Sequence, residues 1–172
     1  MGAGTESPAQ YVKPVAASAS AGGARQFVSF RIGEEEYAID IMAVREIKGW
    51  TETTALPNQP EFILGILNLR GTIVPIFDLR CRFGMGLTDA SKTHVVIIVS
   101  VLDRMMGLLV DAVSDILTVS SNEIRPVPDM DRTVSAEFLS GIITVNDSMV
   151  VLLSLENLFS RGTLAAAGAV AA

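Results

Sequence analysis

The chain holds 172 residues, enough for one compact domain or two very small ones and too few for a large multidomain enzyme. Its 13 lysines and arginines against 19 aspartates and glutamates leave a net charge of −6, the wrong sign for affinity built on neutralising phosphates, which argues against nucleic acid and anionic membrane as partners. Nearly half the residues are apolar, yet the longest run of large aliphatics, Val95 to Val99, falls far short of the ~18 that a spanning helix needs; a soluble chain with a well-filled core and no direct membrane insertion is expected.

In chain order, 1–25 is rich in Ala, Gly, Ser and Pro and too poor in large apolar groups to offset the entropy of ordering, so it reads as a disordered leader. Val28, Phe30 and Ile32 then alternate with polar neighbours, as do Tyr37, Ile39 and Ile41. This period of two predicts paired strands around a Gly33-Glu34-Glu35 turn. In each copy a connecting stretch and a Pro-containing loop lead to one turn of helix, around Phe62 or Phe138, and then to a hairpin, with a strand over Gly71 to Phe77 in the first copy. Further strands are predicted at His94 to Leu102, Met105 to Val110, Ile142 to Val145 and Met149 to Leu153, with turns at Asp103-Arg104 and Asn146-Asp147. The folded domain spans 26–160, and 161–172 reads as an Ala-rich flexible tail.

Much of the chain occurs twice. Sliding by 69 lays Phe27 to Ile47 on Val96 to Ile116 without a gap, and sliding by 76 lays Glu61 to Leu79 on Glu137 to Leu155. The extra seven residues of the second copy fall around Arg125 to Ser135. Short strands with turn punctuation, used twice, predict an all-β fold of two small barrels with short helical turns, at roughly 27–90 and 94–155. Each copy is small to stand alone, so the two are expected to share an interface, which also makes a groove.

Chemistry is sparse. One cysteine, Cys81, and one histidine, His94, cannot form an intrachain disulfide or a zinc site of cysteines and histidines, and no pattern activates the thiol; they read as a helix-turn residue and a loop residue. Glu34-Glu35-Glu36 lacks the spaced oxygen ligands of a calcium loop and reads as a solvated turn. Gly65, Gly71, Gly84 and Gly86 form neither dinucleotide nor phosphate loop, so no cofactor is expected. What remains is Asn68-Leu69-Arg70-Gly71, a basic turn that the second copy replaces with Thr144-Val145-Asn146-Asp147. Arg70 either points to solvent or pairs with a carboxylate, Glu46 being the best candidate; such an exposed pair adds little stability and would matter by fixing surface geometry. Trp50 reads as a barrel-edge packing residue.

Phe30 to Ile41, Val44-Arg45-Glu46-Ile47, Asn68 to Gly71 with Val74-Pro75-Ile76-Phe77-Asp78-Leu79, Val110 to Ile116, Ile124-Arg125-Pro126 and the Phe138 to Gly141 turn, in this order and spacing, resemble the CheW family of bacterial chemotaxis coupling proteins. The resemblance covers about Gln26 to Phe159. It implies two intertwined SH3-like β-barrels, no enzymatic activity and no cofactor. It implies a cytoplasmic adaptor at membrane-associated arrays, linking chemoreceptor hairpin tips to the regulatory domain of a CheA-type histidine kinase. The matching receptor-groove positions are Val44, Glu46, Gly65, Arg70, Val95 and Ile116, and Arg125 with Met130 matches a kinase or ring contact, although Met130 departs from the aromatic expected there. The same fold occurs in the kinase's regulatory domain and in CheV-type adaptors, whose chains continue into further domains; the Ala-rich tail favours a stand-alone coupling protein. A coupling protein of a non-flagellar pathway and a generic β-barrel peptide binder remain open.

Overall fold

The structure is a computed structural model that describes residues 23–55, 57–128 and 136–159. Ten strands run through them: β1 (Ala24–Ile32), β2 (Glu35–Asp40), β3 (Val44–Gly49), β4 (Ile63–Leu69), β5 (Thr72–Asp78), β6 (Val95–Val101), β7 (Arg104–Val110), β8 (Ala112–Ser120), β9 (Leu139–Val145) and β10 (Ser148–Leu153). Two single-turn helices follow the last strand of each copy, α1 (Leu79–Arg82) and α2 (Leu155–Leu158). The side chains of Asp78 and Ser154 cap them by accepting from Cys81 N and Asn157 N. The leader, the tail and Met130 fall outside the described residues, except that β1 already begins at Ala24, inside the stretch read as leader.

The paired strands arise where the alternation indicates. The strands that the alternation does not indicate are β3 and β8, which fall in the connecting stretches; β4 is the first arm of the hairpin expected after Phe62, and Phe62 itself lies in a turn rather than a helix. β3 alternates half-buried and exposed residues, but Val44, Glu46 and Lys48 are not uniformly apolar, so the hydrophobic period is hidden. The turn placed at Asp103-Arg104 lies one residue earlier, at Leu102 and Asp103, which take φ of 51° and 64°.

The strands assemble into two mixed five-stranded sheets, in the orders β8-β1-β2-β10-β9 and β3-β6-β7-β5-β4. These orders are one pattern written twice under the sequence repeat, in which β1 to β5 correspond to β6 to β10. Each sheet takes the first two strands of one copy and the last three of the other. The copies 27–90 and 94–155 are therefore units of sequence, not of structure: one sheet is the contiguous middle of the chain, and the other joins its two ends.

Each sheet closes on itself through an isolated bridge beyond an outer strand, Thr54 with Ile66 in one and Arg125 with Ile142 in the other. A glycine makes each closure possible. A Cβ on Gly65 would lie 2.5 Å from the Thr54 carbonyl oxygen, and one on the equivalent Gly141 would lie 2.7 Å from Ile124 Cγ2 and 3.1 Å from the Arg125 carbonyl oxygen. The glycine shared by both copies is thus explained by barrel closure.

Burial is concentrated between the barrels. Six buried residues fill the interior of each, around Phe27 and Leu152 in one and around Val74 and Ile98 in the other, whereas 20 buried residues from both sheets form the common core. Phe30, Tyr37, Phe77, Phe83 and Phe159 belong to that common core, with Phe77 and Phe159 ring centroids 4.7 Å apart. Arg82 bolts the junction: its guanidinium lies 5.1 Å from the Phe62 ring and 4.6 Å from the equivalent Phe138 ring, and it donates to the Leu158 carbonyl at 3.2 Å. Burial lowers its pKa, partly offset by Glu137, in keeping with a cation held between two rings.

Candidate partner-binding site

The β4–β5 turn is made by Arg70 and Gly71, with φ of 52° and 90°. This two-residue connection demands left-handed backbone at both positions, and Asn68 stabilises it by accepting from Gly71 N at 2.8 Å. An arginine is an unusual occupant of such a position, where asparagine or glycine carries less strain. The turn aims Arg70 outward, leaving its side chain 72% exposed, and its guanidinium meets Glu46 Oε1 at 2.7 Å. The pairing expected from the sequence is therefore present.

Glu46 reaches Arg70 because β3 and β4 are the outer strands of one sheet, brought together when that sheet closes. A bulge between Val44 and Glu46 sets two residues of β3 against one step of β6 and aims the carboxylate. The hydrogen bond from Arg70 is the main reason that the Glu46 carboxyl sits below the usual glutamate range; desolvation opposes it, and the charges of Arg70 and Lys48 add to it. The same bond raises the Arg70 pKa. The result is a fixed, exposed dipole of one guanidinium and one carboxylate.

The other groove positions distribute unevenly. Val44 on β3 and Val95 on the neighbouring β6 are half-buried and pack against the common core, but at opposite ends of the β3–β6 pairing, where Val44 stands opposite Val99 and Val95 opposite Gly49, so that Val44 is the one close to Glu46 along the strand. Gly65 is buried beneath Thr53 and Thr54, where it serves the closure described above. Ile116 is carried by β8 on the other sheet, opposite Val28 of β1, and is 38% exposed. Arg125 is exposed, and its backbone makes the closing bridge to Ile142; Met130 lies outside the described residues.

His94 and Cys81 are not a nucleophile and base. His94 Nδ1 accepts from Ser91 N at 3.1 Å, which leaves Nε2 to carry the proton toward Asp111 Oδ1 at 3.5 Å. Burial, followed by the charges of Glu61 and Asp78, pushes the Cys81 thiol up and keeps it protonated. Glu34 and Glu35 are exposed at the β1–β2 turn, and Glu35 accepts from the Tyr37 hydroxyl. Trp50 is half-buried against the interior of its barrel, as expected.

One polar centre escaped the sequence reading. Asp111 accepts from Gly33 N at 2.7 Å and from Arg80 at 2.9 Å and faces His94, while its own N–H donates to Arg31 O at 3.0 Å. The available signal lay in the repeat, where Asp111 falls on Met42, a charge exchanged for a thioether between equivalent positions.

No helix among the described residues is long and apolar enough to cross a membrane. A family model described as the CheW-like domain matches residues 26–162. A chemotaxis protein CheW of Rhizobium meliloti is 44% identical over 137 residues, covering 80% of this chain and 88% of that protein. One of Klebsiella aerogenes is 40% identical over 141 residues, covering 82% and 85%. The crystal structure of the scaffolding protein TtCheW from Thermoanaerobacter tengcongensis is similar, with a TM-score of 0.73, 39% identity, and coverage of 81% of this chain and 90% of that one.

Proposed function

The chain belongs to the family of CheW-like domains and is a chemotaxis adaptor, not an enzyme, and from that premise we propose that it couples the cytoplasmic hairpin tips of chemoreceptors to a CheA-type histidine kinase. It does so in the cytoplasm, at membrane-associated arrays. The receptor helices lie against Val44, Glu46, Arg70, Val95 and Ile116, with Gly65 holding the turn-bearing strand in place. Arg125 and Met130 contribute to a contact with the kinase or with neighbouring subunits of a ring.

The observation that carries this reading is the Arg70–Glu46 pair on a left-handed turn. Barrel closure requires no arginine there, as the Asn146-Asp147 turn of the second copy demonstrates. The pair presents both signs of charge in fixed positions, with half-buried Val44 on the same strand as Glu46, which suits the mixed surface of a helical hairpin. Coupling then acts through geometry: a scaffold changes kinase output by favouring one arrangement of its partners over another.

Calorimetry with the kinase regulatory domain and with a receptor hairpin from the same cell tests the proposal. Saturable binding of both is expected, and Arg70→Ala should weaken receptor binding about tenfold or more with an unchanged melting curve. Loss of binding in step with a fall in melting temperature would make Arg70 structural. Absence of binding by the folded wild type would leave a generic peptide-binding barrel.

A further inference from the structure

The chain crosses between barrels twice at equivalent places, at 41–43 between β2 and β3 and at 110–112 between β7 and β8. The second crossing is filled. Arg80 extends past Gly33, its Nη1 3.9 Å from where a Cβ would stand, to reach Asp111, and His94 closes the other side. Under the repeat, Gly33, Arg80 and Asp111 correspond to Leu102, Glu156 and Met42.

At the first crossing those three residues, together with Asp40, line an open cavity of about 330 Å³. The cation that fills the sister site is replaced by a carboxylate, and its acceptor by a thioether. Met42 is 77% exposed and Leu102 53%, so two large apolar side chains stand in solvent at the rim. Leu102 also takes φ of 51°, where its counterpart is a glycine at 64°. An aliphatic residue is held in a conformation that L side chains rarely adopt, and the strain displays its side chain at the cavity. Glu156 is exposed and forms no ion pair among the described residues, while Asp40 is shared with Arg25 at 3.1 Å and Met42 N at 2.9 Å.

We propose that this cavity docks a segment of a partner protein that inserts an arginine or lysine side chain beside an aliphatic one. The sister crossing supplies the template: there the chain's own guanidinium occupies the equivalent space against an acidic group. Glu156 provides the counter-charge, Asp40 adds to it, and Met42 and Leu102 form apolar walls for the neighbouring side chain. The inference goes beyond the coupling reading and concerns a surface separate from the Arg70 turn.

The test titrates the full-length 15N-labelled chain with acetyl-Leu-Arg-Leu-amide and follows backbone amide shifts. Saturable shifts confined to 40–43, 100–102 and 154–156 are expected, with none at the filled crossing around 111. Replacing the arginine by neutral citrulline, or Glu156 by Gln, should each weaken binding about 1.5- to fivefold, the range of an exposed charge pair. The double variant Met42→Asp with Glu156→Arg rebuilds the sister clamp; once shown to be folded, it should no longer bind. Absent shifts, or equal affinity for the citrulline peptide, would overturn the proposal. So would movement of the same resonances on dilution of the free chain, or on Arg161→Gln without peptide, because a second copy or the chain's own segment would then be the occupant.

Discussion

Arg70 and Glu46 show what a single exposed pair can and cannot do. Both are solvated, so their bond contributes little to folding and acts by fixing where two charges stand. The bond depresses the Glu46 pKa below its ordinary 4.5. A depressed carboxyl favours the paired state above its unpaired pKa, and the pair is lost only as pH falls through the lower folded value. Receptor binding should therefore hold from pH 7 to pH 5 and fail only below 4.5 as this group protonates. In Glu46→Gln, binding should be weaker throughout, and the acid limb should no longer report this carboxyl. Calorimetry across that range checks it. A binding midpoint well above 4.5 that persists in Glu46→Gln would assign the titration to another group.

At the scale of elements, the barrel closures are the sensitive points. Gly65 sits where Thr53 and Thr54 pass over β4, and its φ of 151° with a backbone oxygen 2.5 Å from a prospective Cβ leaves no room for a side chain. Gly65→Ala should cost about 1–3 kcal/mol through forced displacement of that backbone. It should also weaken receptor binding, because β4 carries Arg70 toward Glu46. Chemical denaturation together with the amide shifts of 53–54 and 70 tests both effects; unchanged stability would show that the closing segment yields freely. The crossings behave differently from the closures. Asp111 ties one crossing to the β1–β2 turn and α1, whereas among the described residues the equivalent crossing has no such tie and its cavity is open.

At the scale of the whole molecule, the two barrels are one folding unit. The common core of 20 buried residues outnumbers the six inside either barrel, so separating them exposes most of the buried apolar surface. The segment 44–110 contains every strand of one sheet in sequence, yet expressed alone it should lack a stable fold, while the full chain should unfold in one transition. Dispersed amide resonances from that isolated segment would contradict this. The arrangement also suits a scaffold, since a partner held by both barrels meets surfaces whose relative position is fixed by the shared core.

By itself the sequence determined the β class, the repeat, most paired strands and the helical turn at Cys81, and it named Glu46 as the best candidate partner of Arg70. Each rests on local alternation, on turn chemistry or on comparison of the two copies. Only the tertiary structure decided which strands share a sheet. The repeat is silent on exchange, because strands swapped between two similar copies keep the same hydrophobic faces and the same turns. β3 and β8 are hidden in the connecting stretches because their half-buried positions are not uniformly apolar, and Gly65 can be matched to a groove but not to the closing segment above it. The difference between the filled crossing at Asp111 and the open one at Met42 required coordinates, since Arg80, Gly33 and Asp111 meet only after the chain has passed from one barrel to the other.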